Sequence, residues 1–356
     1  MRKDRIYVCH TFYHVYVSLL KEFALPEDKR GGATMVLSKM SNDFGDLKVR
    51  LKKSGVFEEV LEYDEKRYTF FPELLKYKEN KHNFLLNLIN RMIFTKKFAA
   101  LQEKYVPVDF SEYKDIYVYC DSDPIGYYLN YKKIKYHAVE DGLNSLVHVD
   151  AARYDNRGNF AVKAFLAKHN LLFIQNGYSK YCVDMEVNRI EGILFPIDKH
   201  IEVPRKQLQD RLTKEEKDII MDIFIKNKDA ILSALNDMED GRENYLILTE
   251  PLCSLDIRKK IFSDLSEEYG QKGKVILKPH PRDEMDYEKE FPHLTVIEKM
   301  VPMEILNFMA DKPFDKVISV LTDLNGVEFA KEGIRLGPDF MDKYEAPEIH
   351  RQNEQI

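Results

Sequence analysis

Short apolar runs rich in Val, Ile and Tyr alternate along this chain with segments of helical length. In the first half the runs are RIYVC (Arg5–Cys9), ATMVL (Ala33–Leu37), FEEVLEY (Phe57–Tyr63), DIYVYC (Asp115–Cys120) and IKYHAVE (Ile134–Glu140). After about residue 215 a second series begins: NYLILTE, KVILKPH, LTVIEK and DKVISVL. Strand-like runs separated by helices are the pattern of a parallel sheet with crossover connections. Two such series predict an α/β protein with two doubly wound, Rossmann-like domains. The boundaries expected are 1–195 for the first domain, 196–215 for a linker containing two prolines (in GILFPIDKHIEVPRKQLQ), and 216–356 for the second. LTKEEKDIIMDIFIKNKDAILSAL reads as a long amphipathic helix with Thr213 at its N-cap and an acidic first turn. YKENKHNFLLNLINRMIFTKKFAALQEKY reads as another, carrying Lys76 just before it and Lys78, Lys81, Arg91, Lys96 and Lys97 within it. Its basic residues form either a solvated face or, over 76–97, a grip on anionic lipid or an acidic acceptor.

A chain of 356 residues fits two cores. With 44% apolar and 32% charged residues it is an ordinary globular protein, and a net charge of −6 argues against a general nucleic-acid binder. The cysteines Cys9, Cys120, Cys182 and Cys253 are far apart, which excludes CxxC zinc sites and favours buried thiols in a reducing compartment. The opening MRKDRIYVCH runs from charge straight into a strand, and no apolar run has the length of a membrane span. A cytoplasmic protein is expected, with peripheral contact at the inner membrane surface as the one membrane association compatible with it.

Three stretches carry candidate chemistry. In KIKYHAVEDGLNSLV a strand ends in Glu140 and Asp141, followed by Gly142 and then Asn144. Adjacent carboxylates raise one another's proton affinity, which suits a general base. In VILKPHPRDE a strand exits into Lys278, then His280 between Pro279 and Pro281, then Arg282. The prolines hold the histidine rigidly, and three cationic side chains together form a site for a phosphate leaving group; the bland alternative is a buried structural histidine. In the third stretch Glu304 lies at a helix start, and Ser319 and Thr322 lie at a strand end. Hydroxyls beside a helix N-terminus ligate phosphate and a glutamate can accept both ribose hydroxyls, although Glu304 serves equally as a dipole partner and Thr322 as an N-cap.

VEDGLNSL, KPHPR, PMEIL and SVLTDLNG, in this order, resemble the lipooligosaccharide and capsule sialyltransferase family of bacteria, over roughly the last two thirds of the chain. The resemblance implies the GT-B fold, with two Rossmann-like domains facing a central cleft. It also implies an inverting, metal-independent transfer of sialic acid from CMP-sialic acid to a terminal galactose-type hydroxyl of a surface glycan. Asp141 would be the base and His280 the group on the departing CMP phosphate. Glu304 would hold the ribose, and Ser319 and Thr322 the phosphate. Charge adds Lys278 and Arg282 to the donor side, which also includes Pro281 of the HP pair, while Glu140, Gly142, Asn144, Thr11 and His14 are candidates on the acceptor side. The partners implied are a nucleotide-sugar donor and an oligosaccharide acceptor. The family pattern has Asp where this chain has Glu140.

Other readings stay open. Asp121-Ser122-Asp123 matches a DxD metal motif, or caps a helix starting at Pro124. His10 and His14 would share a helical face as ligands or acceptor contacts, or be satisfied histidines. A GT-B transferase with another donor (hexosyl or glycerophosphate), a nucleotide-sugar epimerase and a non-catalytic glycan-binding component of a capsule assembly complex all fit the same fold.

Overall fold

The computed structural model describes residues 3–350 except 120, 149, 227, 230, 232, 234–241, 309–313 and 325–326. The chain divides into two compact units, Met1–Glu216 and Lys217–Ile356. Each is an all-parallel sheet.

The first sheet has seven strands in the order β3-β2-β1-β4-β5-β6-β7. They are β1 (Lys3–Cys9), β2 (Ala33–Ser38), β3 (Glu59–Tyr63), β4 (Tyr113–Tyr119), β5 (Tyr136–Val139), β6 (Cys182–Val187) and β7 (His200–Glu202). β1 and β2 are buried nearly end to end, as a central parallel strand covered by helices on both faces must be. Ile6, Val8, Val36, Val118 and Ala138 form the middle of the core. The five strands read from the sequence are all present. β6 and β7 escaped notice because CVDMEV carries two acids and HIE is too short to show a period. The segment 196–215 is no linker: it contains β7 and the helix Arg205–Asp210, and the first unit runs to Glu216. The charged, proline-bearing composition that suggested a linker is that of a sheet edge.

The second sheet has the order β10-β9-β8-β11-β12, with β8 (Glu243–Leu248), β9 (Gly273–Lys278), β10 (Thr295–Val296), β11 (Phe314–Ser319) and β12 (Ala330–Arg335). Tyr245, Ile247, Leu277, Ile318 and the helix residues Ile261 and Phe262 build its core. Outermost β12 is largely exposed and charged, which discourages pairing by a further strand.

In both units the strand order reverses beside the first strand, at β1/β4 and at β8/β11. Such switch points open a crevice at the carboxyl ends of the strands, where ligands of doubly wound sheets bind.

The helices differ from expectation in two places. Thr213 and Glu216 do form a reciprocal cap, Thr213 N–H to Glu216 Oε2 at 2.8 Å and Glu216 N–H to Thr213 Oγ1 at 3.2 Å. The helix they start ends at Phe224, however, and part of the segment expected to continue it lies outside the described residues. The basic stretch is helical only over Phe84–Gln102; His82 sits at φ 53° in the turn before it. Cys9 and Cys182 are buried free thiols and Cys253 is half-buried, whereas Cys120 lies outside the described residues. Among the described residues no helix is long and apolar enough to cross a membrane.

Candidate active site

At the crevice of the first unit, the turn after β1 is built around Thr11, the N-cap of the helix Phe12–Phe23. Its hydroxyl accepts the His14 backbone N–H at 3.2 Å, so Thr11 is spent on the cap. The cap places His14 fully buried, stacked on the Tyr119 ring with centroids 4.5 Å apart. His14 Nδ1 accepts the backbone N–H of His10 at 3.0 Å, which leaves its proton on Nε2. That N–H points at Asp141, 2.9 Å from Oδ1 and 2.9 Å from the backbone oxygen. Burial pushes the His14 pKa down, so the imidazole is neutral at pH 7.

Asp141, just past β5, therefore has one oxygen fixed while its side chain stays 57% exposed. The His14 hydrogen bond, opposed by burial, holds the carboxyl below its usual range, with the charge of nearby His10 contributing further. This corrects the expectation that the neighbouring acid raises its proton affinity. Glu140 points elsewhere: it is 2% exposed and accepts the Asn188 N–H at 2.6 Å, with burial raising its pKa. Strand alternation sends consecutive side chains to opposite faces, so the two acids do not share a site. Glu140 is thus a buried link to the segment after β6 and does not face an acceptor. Gly142 has a negative φ and open space where a Cβ would stand, while Asn144 adopts φ 57° and accepts Asn188 Nδ2 at 2.9 Å.

His10 belongs to a separate buried cluster. Its Nε2 lies 2.7 Å from Glu65 and 3.4 Å from Asp123. Burial works against its charge, but Glu65, Asp123 and Asp141 outweigh it and raise the pKa to about 9. Glu65 also accepts Ser38 Oγ at 2.7 Å and the Ile125 backbone N–H at 2.7 Å. The helix after β4 is consequently capped by Glu65: Asp123 occupies the N-cap position without a side-chain capping bond. Asp121 is buried, accepting the Asn176 N–H at 2.7 Å and the Tyr136 hydroxyl at 3.0 Å. The two acids of DxD do not converge on one open point, and among the described residues no three His, Cys, Asp or Glu side chains are arranged to hold a metal ion.

In the second unit the KPHPR turn is anchored by a residue outside that motif. Asp283 is buried, bonded by Arg258 Nη1 at 2.6 Å and by the Tyr287 hydroxyl at 2.8 Å. Thr249, after β8, accepts the His280 backbone N–H at 3.3 Å. His280 Nδ1 accepts the Arg282 backbone N–H at 3.1 Å, so Nε2 bears the proton. Burial, then Arg282 and Lys278, depress the His280 pKa, leaving it a neutral donor at pH 7. Pro281 and Arg282 are exposed beside it. Lys278 does not join them: its ammonium is buried, donating to the Pro279 and Lys299 carbonyl oxygens at 2.8 and 3.1 Å, and burial lowers its pKa to about 7. The compact three-cation site is therefore reduced to His280 and Arg282.

Glu304 sits half-buried in the first turn of a 3-10 helix (Met303–Phe308), its pKa raised by burial and partly countered by the Lys278 charge. Ser319 is buried, and its hydroxyl donates to the Thr322 backbone oxygen at 2.8 Å. No helix follows among the described residues; the chain runs through an irregular loop into β12. What orders that loop is Glu250, missed in the sequence although NYLILTE ends with it. It is buried and accepts the backbone N–H groups of Val320, Leu321 and Thr322 at 2.9–3.1 Å, bridging the switch point from β8 to β11. Three successive amides around one carboxylate make an anion nest.

The crevice of the first unit presents an ionised aspartate, and that of the second a neutral imidazole N–H beside an arginine. A model of glycosyltransferase family 52 matches residues 56–320, and the chain belongs to that family. It is a glycosyltransferase, and the resemblance to bacterial sialyltransferases carried by its short motifs is borne out. An uncharacterised protein of Haemophilus influenzae is 28% identical over 112 residues, 29% of this chain and 36% of that protein, so the match spans about a third of the relative's length. Among solved structures, the α/β-galactoside α-2,3-sialyltransferase of Photobacterium phosphoreum is similar with a TM-score of 0.50 at 12% identity, over 90% of this chain and 86% of that one. The 2,6-sialyltransferase of Photobacterium sp. JT-ISH-224, crystallised with CMP and lactose, has a TM-score of 0.54 at 11% identity, over 93% and 70% of the two chains. At these identities the likeness is one of fold, the GT-B type.

Proposed function

We propose that the protein transfers sialic acid from CMP-sialic acid to a galactose-type hydroxyl of a surface glycan such as lipooligosaccharide or capsule, with inversion and without a metal. The observation that carries this reading is the exposed Asp141 carboxylate, kept ionised by a neutral histidine that occupies only Oδ1. Oδ2 is left to take the acceptor proton. The acceptor oxygen forms its bond to the anomeric carbon as the carbon–oxygen bond to CMP breaks, and that electron pair goes to the phosphate oxygen. His280 Nε2–H then donates to the departing phosphate and Arg282 balances its charge. A CMP leaving group carries a single phosphate, so these donors suffice. Thr322, Glu304 and the loop held by Glu250 supply the remaining nucleotide contacts. The similarity of fold to sialyltransferases crystallised with CMP and lactose is consistent with this donor and acceptor class.

The test is a donor screen with lactose as acceptor. Transfer from CMP-sialic acid, none from UDP-hexoses or CDP-glycerol, and an undiminished rate in EDTA are the expected results. Transfer confined to another donor, or a rate abolished by EDTA and restored by a divalent ion, would overturn the proposal.

A further inference from the structure

A cavity of about 720 Å³ in the first unit lies between the segment 77–95 and the segment 155–163, and none of the proposed catalytic residues lines it. Its wall holds four cations (Lys78, Arg91, Arg157 and Lys163) against two carboxylates, Glu79 and Asp155. Glu79 pairs with Lys81 at 2.5 Å; Asp155 accepts Nε2 of Gln175, also on the wall, at 3.1 Å, and its charge acts on Arg91 and Lys78. The four cations are only partly neutralised by it. Among the described residues no hydrogen bond or ion pair reaches the Arg91 guanidinium, although it is half-buried. Lys163 meets only the carbonyl oxygens of Asn156 and Arg157, at 3.4 and 3.1 Å. Lys78 stands over the Tyr68 and Phe94 rings, 4.8 and 5.2 Å from their centroids.

Burial comes first and Arg91 second in depressing both lysines, a cost that an anion in the pocket would remove. Two helices also begin in this wall. Phe84–Gln102 starts there, and Phe160–Lys168 starts at Asn159, whose side chain makes no capping bond and whose φ is 54°. Both point the positive ends of their dipoles at the pocket.

We propose that this pocket is a binding site for a phosphate monoester. The positive charges of the wall outnumber its one carboxylate not paired with an outside lysine, which favours a dianion over the single charge of a carboxylate. Arg91 supplies the bidentate fork, and Lys163 and Lys78 are point charges beside it. The cavity is far larger than a phosphate and leaves room for the group that carries it. The phosphate belongs either to a soluble phosphorylated sugar or to a lipid headgroup. Leu85, Leu86 and Ile89, exposed by 66%, 51% and 51% on the helix that forms one wall, are positioned to lie against acyl chains in the second case.

The full chain is titrated calorimetrically with glucose 6-phosphate against glucose, and sedimented with phosphatidylcholine vesicles with and without phosphatidic acid. Binding of glucose 6-phosphate and not glucose identifies the soluble source; sedimentation that requires phosphatidic acid identifies the lipid. In either case Arg91→Gln with Lys163→Gln weakens binding about tenfold or more, and Arg91→Lys weakens it less. Lys78→Gln, at an exposed position, gives the same sign should the double variant not fold. No phosphate-dependent binding in either arm, or binding unchanged in the variants, overturns the proposal.

Discussion

His14, a residue 127 positions earlier, lowers the pKa of the Asp141 carboxyl, and the pH dependence expected of the proposed transfer follows from that pairing. The histidine bond depresses the carboxyl pKa, so the base is ionised above that lowered value and is lost only as pH falls through it. His14→Phe keeps the stack on Tyr119 but removes the donor. The acid limb of kcat/KM then shifts to higher pH, and kcat/KM at neutral pH falls about tenfold or more; an unshifted limb would show that His14 does not set the charge. Glu250 governs the other unit in the same manner. Glu250→Gln retains the shape but loses the charge that collects three amides. It is expected to cost about 1.5–3 kcal/mol in urea unfolding and to weaken CMP binding. The motifs pointed to Asp141 and His280, but not to His14, Glu65 or Glu250 as their supports. A buried acid that accepts backbone amides from a distant loop has no local spacing to announce it.

At the scale of elements, the turn after β9 that carries His280 is held by a buried ion pair. Arg258, on the helix Leu255–Gly270, reaches Asp283 in the turn after β9, both nearly inaccessible to solvent. Arg258→Met leaves the carboxylate buried and uncompensated, for an expected loss of about 3–5 kcal/mol by chemical denaturation. A loss under 1 kcal/mol would mean that the Tyr287 and backbone donors suffice. All nine strands predicted from periodicity exist, since runs of Val, Ile and Tyr bounded by turns have few alternatives. β7 and β12 were illegible because edge positions demand charge and brevity in place of an apolar run, and β6, one strand in from the edge, was hidden by the two acids of CVDMEV. The basic stretch misled for a related reason: its first residues are polar enough for a helix surface, yet the turn at His82 breaks it before Phe84. Lys278 was misread because a lysine at a strand end looks free until the carbonyls it caps are known.

At the scale of the whole molecule, each of two sheets of the same winding carries its candidate residue one strand from the point where strand order reverses, Asp141 after β5 and His280 after β9. Under the proposed function, acceptor activation falls to the first unit and leaving-group stabilisation to the second. The GT-B fold was legible from the two series of strands, because alternation over most of the chain constrains topology more strongly than any motif does. The most direct measurement is the rate of transfer from CMP-sialic acid to lactose by Asp141→Asn, with CMP affinity measured on the same protein. The account predicts a kcat lowered by about 10²–10⁴-fold with CMP affinity retained. A variant that keeps its rate would contradict it.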